Sequence, residues 1–136
     1  MRRMKRLHDK GQLDVFVDLH NPGGSVQHPF FLLPPRTKLS DLVIQRQRLL
    51  LTTCRQQMTE SMPFRGATYE SGSNYDSRWR SIAKNWVALQ LRGVVAVTLE
   101  TPWNVAQSHR TGYENVGRGL GRAIVRYAVQ VRRIAE

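Results

Sequence analysis

Cysteine and histidine, the usual metal ligands beside carboxylates, are scarce in this chain. Cys54 is the only cysteine. A single thiol excludes an internal disulfide and a thiolate metal cluster. Histidine occurs only at positions 8, 20, 28 and 109. Long apolar runs are missing too. None approaches the roughly 18 residues that a membrane-spanning helix needs, so no membrane partner is expected. Residues 1–6 are basic, but the apolar stretch Leu13–Leu19 is interrupted by Asp14 and Asp18. That makes no signal-peptide core, and the expectation is a cytoplasmic protein. There are no internal repeats and no low-complexity tracts.

Acidic residues are also few. The chain has 136 residues, 21 of them Lys or Arg and only 10 Asp or Glu, for a net charge of +11. Such a balance raises the question of nucleic acid. However, 17 of the 21 basic residues are arginines spread along the chain. No zinc finger, RNP-like aromatic strand or lysine-rich tail accompanies them. A solvated arginine-rich surface accounts for the charge. Forty per cent of residues are apolar, enough for a core, and the length suits one domain or part of a larger one.

What is present reads as alternating strands and helices. Residues 1–12 form a basic lead-in, the end of a helix closed by Gly11. Leu13–Leu19 is rich in β-branched and aromatic residues and runs into a Pro-Gly-Gly turn, which predicts a strand and a loop. Phe30–Leu33 predicts a second strand, stopped by Pro34 and Pro35. Ser40 can cap a helix over 41–59, with Asp41 in its first turn. Its buried stripe would be Leu39, Val43, Leu50, Cys54 and Met58, with Cys54 as core filler. Residues 60–75 are loop-like. A helix is expected over 76–90, with Trp79, Ile82, Ala83, Trp86 and Leu89 as core and Gly93 beyond its end. Val94–Leu99 is a continuous apolar run, as in a strand covered on both faces. A last helix over 113–135 presents Tyr113, Val116, Leu120, Ile124, Tyr127, Val131 and Ile134 on one face. Arg118, Arg122 and Arg126 lie elsewhere on it, on a solvated face. The helical connection between the first and last strands permits a parallel crossover, hence an α/β sandwich.

Two short stretches carry the chemistry. Asp18-Leu19-His20-Asn21-Pro22 ends one apolar run, and Glu100-Thr101-Pro102-Trp103-Asn104 ends another. In open α/β sheets, ligands gather beyond the carboxyl ends of strands. A neutral imidazole at His20 is a good zinc ligand. Asp18 precedes it by two residues in a strand, so both side chains share a face. Asp18 could accept the second imidazole N–H and fix the tautomer. Glu100 could act as a general base toward a metal-bound water. Each residue also has a plainer reading: a hydrogen-bonded structural histidine, a solvated glutamate.

The segment from Leu13 to Glu136 resembles the C-terminal part of the zinc carboxypeptidase family, peptidase family M14. It is most similar to a bacterial branch with an Asp-x-His-x-Pro signature. In that family one strand ends in the third zinc ligand and a later strand ends in the catalytic glutamate. The matching segments are Val15–His20 and Val97–Glu100, and the closing helix matches over Gly117–Ile124. The resemblance implies the C-terminal portion of an α/β/α sandwich with a mixed, largely parallel sheet. Residues 1–136 would be one partial peptidase domain, with 1–12 as a lead-in from an upstream helix. It implies His20 as metal ligand, Glu100 as base and Asp18 behind His20. It also implies a substrate-contacting tyrosine, with Tyr75 the candidate and Tyr69 its competitor. The implied activity is hydrolysis of a peptide or amide bond by zinc-activated water.

The chain departs from that pattern in one respect. The family's other two zinc ligands form a His-x-x-Glu motif, and no histidine here has glutamate three residues later. The arginines that hold the substrate carboxylate in the family have no match either. Zinc therefore belongs to a complete protein, and this chain alone is expected to bind none tightly and to be inactive. Three expectations follow: part of a peptidase, a non-catalytic derivative acting as a binding module, or a basic nucleic-acid-binding domain. In the first case an uncovered sheet edge favours self-association. His20 and Glu100 are expected at the same sheet edge, on neighbouring or near-neighbouring parallel strands.

Overall fold

A computed structural model describes residues 2–135, and the side chains of residues 2–132. The elements are α1 (Arg2–Asp9), β1 (Val15–His20), β2 (Phe30–Leu33), α2 (Asp41–Gln57), β3 (Thr68–Glu70), α3 (Ala83–Gln90), β4 (Val95–Glu100) and α4 (Arg110–Ala135). The apolar runs became strands where expected. Among the described residues the sheet order is β1-β4-β2-β3. β1 and β4 are parallel, as are β2 and β3, and β2 runs antiparallel to β4. The chain is thus an α/β fold with a mixed, mostly parallel sheet.

Alternation along the strands divides the core into two clusters. Val95, Val97, Leu99 and Phe31 face α2 and α4, where they meet Leu50, Cys54, Met58, Val116, Leu120, Ala123 and Tyr127. Ala96 points the other way, to Val87 of α3 and Leu91 just beyond its end, with Phe16 of β1 and Met4 of α1 alongside. All six residues of β4 are buried. This matches the continuous apolar run of a central strand covered on both faces. Burial pushes the Cys54 thiol up to about 12, so it stays protonated and serves as core filler.

α2 starts at the expected cap, with Ser40 Oγ accepting from the Val43 N–H at 3.4 Å. Its buried residues are Val43, Gln47, Leu50, Thr53 and Cys54. Gln47 fills a place on the stripe that apolar reading had left out, and Leu39 is only half-buried. α4 packs across α2 where Gly119 lies against Gln57 and Met58. A Cβ at that glycine would stand 3.0 Å from both the Gln57 carbonyl oxygen and the Met58 Cα. On the predicted face of α4, Val116, Leu120 and Tyr127 are buried. Ile124 and Val131 are half-buried, Tyr113 is exposed, and the Ile134 side chain lies outside the described residues.

Two expectations are corrected. The segment over 60–75 is not all loop, because Thr68–Glu70 pairs with β2 as an edge strand. Three exposed residues with no alternation give no strand signal on their own. The helix expected over 76–90 is broken. A 3-10 turn covers Trp79–Ser81, Ile82 is extended (φ −59°, ψ 131°), and α3 begins only at Ala83. That break resets the helical phase. Trp79 is buried on its own account, while the buried residues of α3 are Lys84, Asn85 and Val87 rather than Ile82, Ala83, Trp86 and Leu89.

Candidate active-site cleft

Parallel pairing of β1 with β4 aligns their last residues. Val15 stands opposite Val95, and the register runs without slip to His20 opposite Glu100. Neighbouring strands are about 4.8 Å apart, and side chains at paired positions emerge on the same face. The antiparallel strand β2 adds Phe30 opposite Glu100. The two strand ends therefore bring an imidazole and a carboxylate together across 80 residues of sequence.

The loops beyond these strands are tied to each other. The Thr101 N–H donates to the His20 carbonyl at 2.9 Å, continuing the ladder one step. Asn21 Nδ2 donates to the Thr101 carbonyl at 2.8 Å, and Trp103 Nε1 to the Pro22 carbonyl at 2.7 Å. Asn104 Nδ2 reaches the Gly24 carbonyl at 3.3 Å. Gly24 itself has the Trp103 ring against it, where a Cβ would meet it at 3.4 Å. The residues after His20 and after Glu100 thus form a single rim.

Under that rim lies a cleft of about 730 Å³. His20, Glu100, Phe30, Tyr69, Asn74 and Tyr75 are among the residues lining it. Tyr69 and Tyr75 are both more than half exposed, and Tyr69 meets Phe30 edge to face, with ring centroids 5.2 Å apart. Both tyrosines are therefore available to a ligand, and Tyr69 sits on β3 rather than in a loop.

Asp18 stands behind the histidine. His20 Nε2 lies 3.2 Å from Asp18 Oδ2. That contact leaves Nδ1 as the ring nitrogen free for a ligand. Glu100 is only 6% exposed, and its Oε2 has no hydrogen-bond partner among the described residues. A buried carboxylate oxygen without a partner is costly unless something else occupies the site. Burial pushes the Glu100 carboxyl above its usual range. Charge on His20 and Lys84 pulls it back, and Asp18 adds to the rise.

The donor set does not make a complete zinc site. Among the described residues no group of three His, Cys, Asp or Glu side chains could hold a metal ion. Catalytic zinc normally has three protein ligands, whereas His20 offers one nitrogen and Glu100 one carboxylate.

No protein-family model matches the sequence, and no curated protein matches it. A solved structure does. The chain is similar to the crystal structure of a metallo-carboxypeptidase from Burkholderia cenocepacia, with a TM-score of 0.70 and 15% sequence identity. The fold is metallo-carboxypeptidase-like. The match covers 93% of this chain and 33% of the other, so this chain spans about a third of that protein's length. No helix of the described metallo-carboxypeptidase-like fold is long and apolar enough to cross a membrane.

One residue near the cleft escaped sequence reading. Lys84 is fully buried beside Ser71 and Asn85. A lysine in a helical segment suggests a solvated position. The available signal was the adjacent Asn85, a second polar residue between Ala83 and Trp86 where a core-facing turn was expected.

Proposed function

We propose that the cleft at the carboxyl ends of β1 and β4 is one half of a zinc-dependent peptidase centre. The complete protein would hydrolyse a peptide or amide bond. One observation carries this reading: His20 and Glu100 share a rung of the sheet and line the same cleft. The fold, shared with part of a metallo-carboxypeptidase, supports it.

In this reading His20 offers Nδ1 to the metal, and Asp18 orients the ring through Nε2. Glu100 is the proton acceptor. Desolvation makes it a stronger base than a solvated carboxylate, which suits a group that takes a proton and passes it on. Tyr75 or Tyr69 contacts the substrate from the opposite wall. Two further ligands must come from residues outside these 136.

The donor count favours one alternative, a binding module that keeps the cleft without the chemistry. Zinc titration and a peptidase assay decide between them. The 136-residue chain alone is expected to show neither stoichiometric zinc binding nor turnover. Combination with a segment bearing His-x-x-Glu is expected to restore both. In the combined protein, Glu100→Gln keeps zinc and loses turnover, whereas His20→Ala loses both. Zinc binding that survives His20→Ala undiminished would falsify the half-site reading. So would one tight zinc with Glu100-dependent hydrolysis on the chain alone.

A further inference from the structure

Lys84 is an unusual residue to bury. Its side chain is wholly inaccessible, and among the described residues no carboxylate lies within ion-pair distance of it. The ammonium donates to Ser71 Oγ and, at 2.9 Å, to Asn85 Oδ1. Asn85 Nδ2 in turn donates to the Ser71 carbonyl at 2.8 Å and the Trp79 carbonyl at 2.9 Å. The Ser71 N–H donates to the Leu33 carbonyl at 2.9 Å, and Ser71 Oγ reaches the same oxygen at 3.3 Å. One polar knot thus joins the end of β2, the residue after β3, the 3-10 turn and the start of α3. Segment 71–75 leaves this knot and ends at Asn74 and Tyr75 on the cleft wall.

Hydrogen bonds to a hydroxyl and an amide do not cancel the charge. Taking an ammonium out of water costs several kcal/mol unless opposite charge is near. That charge comes from Asp18 on β1 and Glu100 on β4. Those two residues alternate with Leu19 and Leu99 and so share with Ala96 the sheet face against which Val87 of α3 and Leu91 just beyond it pack. Lys84, at the start of α3, is on the side of the sheet toward which both carboxylates point.

We propose that Lys84 is a positioning residue of the cleft. Held by Ser71 and Asn85, it anchors the wall formed by residues 71–75 and sets a buried positive charge under Asp18 and Glu100. A fixed cation there opposes the burial that raises the Glu100 carboxyl. Its use in hydrolysis rests on the half-site reading above, but its placement does not.

The test is side-chain NMR of Lys84 Nζ in the 136-residue chain, with no metal. Lys84 should titrate below the ordinary lysine range. Glu100→Gln and Asp18→Asn should each lower its midpoint further, by about half a pH unit or more. Glu60→Gln, at a carboxylate paired with Arg122 of α4, should leave it in place. Lys84→Met should move the amide resonances of Asn74 and Tyr75, and Lys84→Arg should restore them. An unchanged midpoint in both carboxylate variants overturns the proposal. So do wall resonances indifferent to Lys84→Met, or shifts that Lys84→Arg leaves uncorrected. If Lys84→Met does not fold, the carboxylate variants still decide, because they keep the lysine. Zinc binding is read at His20 and moves none of these signals, so the two readings fail separately.

Discussion

His20 and Glu100 stand opposite one another as the last rung of two parallel strands, β1 and β4. Their backbones are fixed by the ladder below them and by the Thr101-to-His20 hydrogen bond beyond. Relative placement is thus held by backbone rather than by flexible side chains, which favours a site that needs defined geometry. Only the side chains differ in freedom: Glu100 is buried and His20 is mostly exposed.

Glu100 should make stability depend on pH in an identifiable direction. Its carboxyl is raised above the ordinary 4.5, first by burial. The folded state then holds the proton more tightly than the unfolded state. The contribution is present at low pH and is lost as pH rises from 4.5 through the raised value. Thermal melts across this range should show Glu100→Gln without that loss. Identical pH profiles for the two proteins would show that the carboxyl is not desolvated.

Lys84 acts in the opposite range. Burial lowers it to about 8, against an ordinary 10.5. The unfolded chain binds the proton more tightly, so Lys84 adds stability as pH climbs from about 8 toward 10.5, by ~1.4 kcal/mol per unit and at most about 3.5 kcal/mol. The Cys54 thiol, raised to about 12, opposes it above pH 9, because there the unfolded chain has lost a proton that the folded chain keeps. Urea midpoints of the wild type and of Lys84→Met at pH 7 and pH 10 isolate the lysine, because Cys54 is common to both. The wild type should gain stability relative to Lys84→Met between those pH values. Parallel profiles for the two proteins rule out the desolvated ammonium.

Two glycines of α4 should respond oppositely to the same change. At Gly119 a Cβ meets the Gln57 carbonyl and the Met58 backbone at 3.0 Å, whereas at Gly121 it meets nothing within 4 Å. Gly119→Ala should destabilise by about 1–3 kcal/mol, through strain where α2 and α4 cross. Gly121→Ala should stabilise by up to about 1 kcal/mol, the helix-propensity difference. Chemical denaturation of the pair tests the crossing, and equal effects would refute it.

The free edge of β1 should make the isolated chain associate. β1 is the outermost strand on its side of the described sheet, and Leu19 near its end is 66% exposed. An open edge with an apolar side chain invites pairing. Sedimentation should show concentration-dependent association that Leu19→Lys reduces. A monomer at every concentration, with cooperative unfolding, counts against an uncovered edge.

Much of the fold was legible because its signals are local. The Val94–Leu99 run had only one comfortable environment, between two layers, and it became the buried central strand β4. Ser40 followed by Asp41 marked the start of α2 correctly. Legibility failed where local cues are silent or misleading. β3 has three exposed residues and exists because β2 offers it a partner. The phase of α3 was misread because an extended Ile82 separates Trp79 from the helix it seemed to share.

The site divides in the same way. The sequence by itself determined which residues end the two apolar runs. It also determined that Asp18 and His20 share a strand face, because side-chain period is a property of the strand. The structure brings that pair to 3.2 Å. A shared sheet edge for His20 and Glu100 was expected, but only the tertiary structure decided that β1 and β4 are direct neighbours whose register pairs the two residues, that β2 enters antiparallel beside β4, and that Lys84 is buried. Those relationships join residues that are distant in sequence. They arise from strand register and from the packing of α3 on the sheet, which no local propensity encodes.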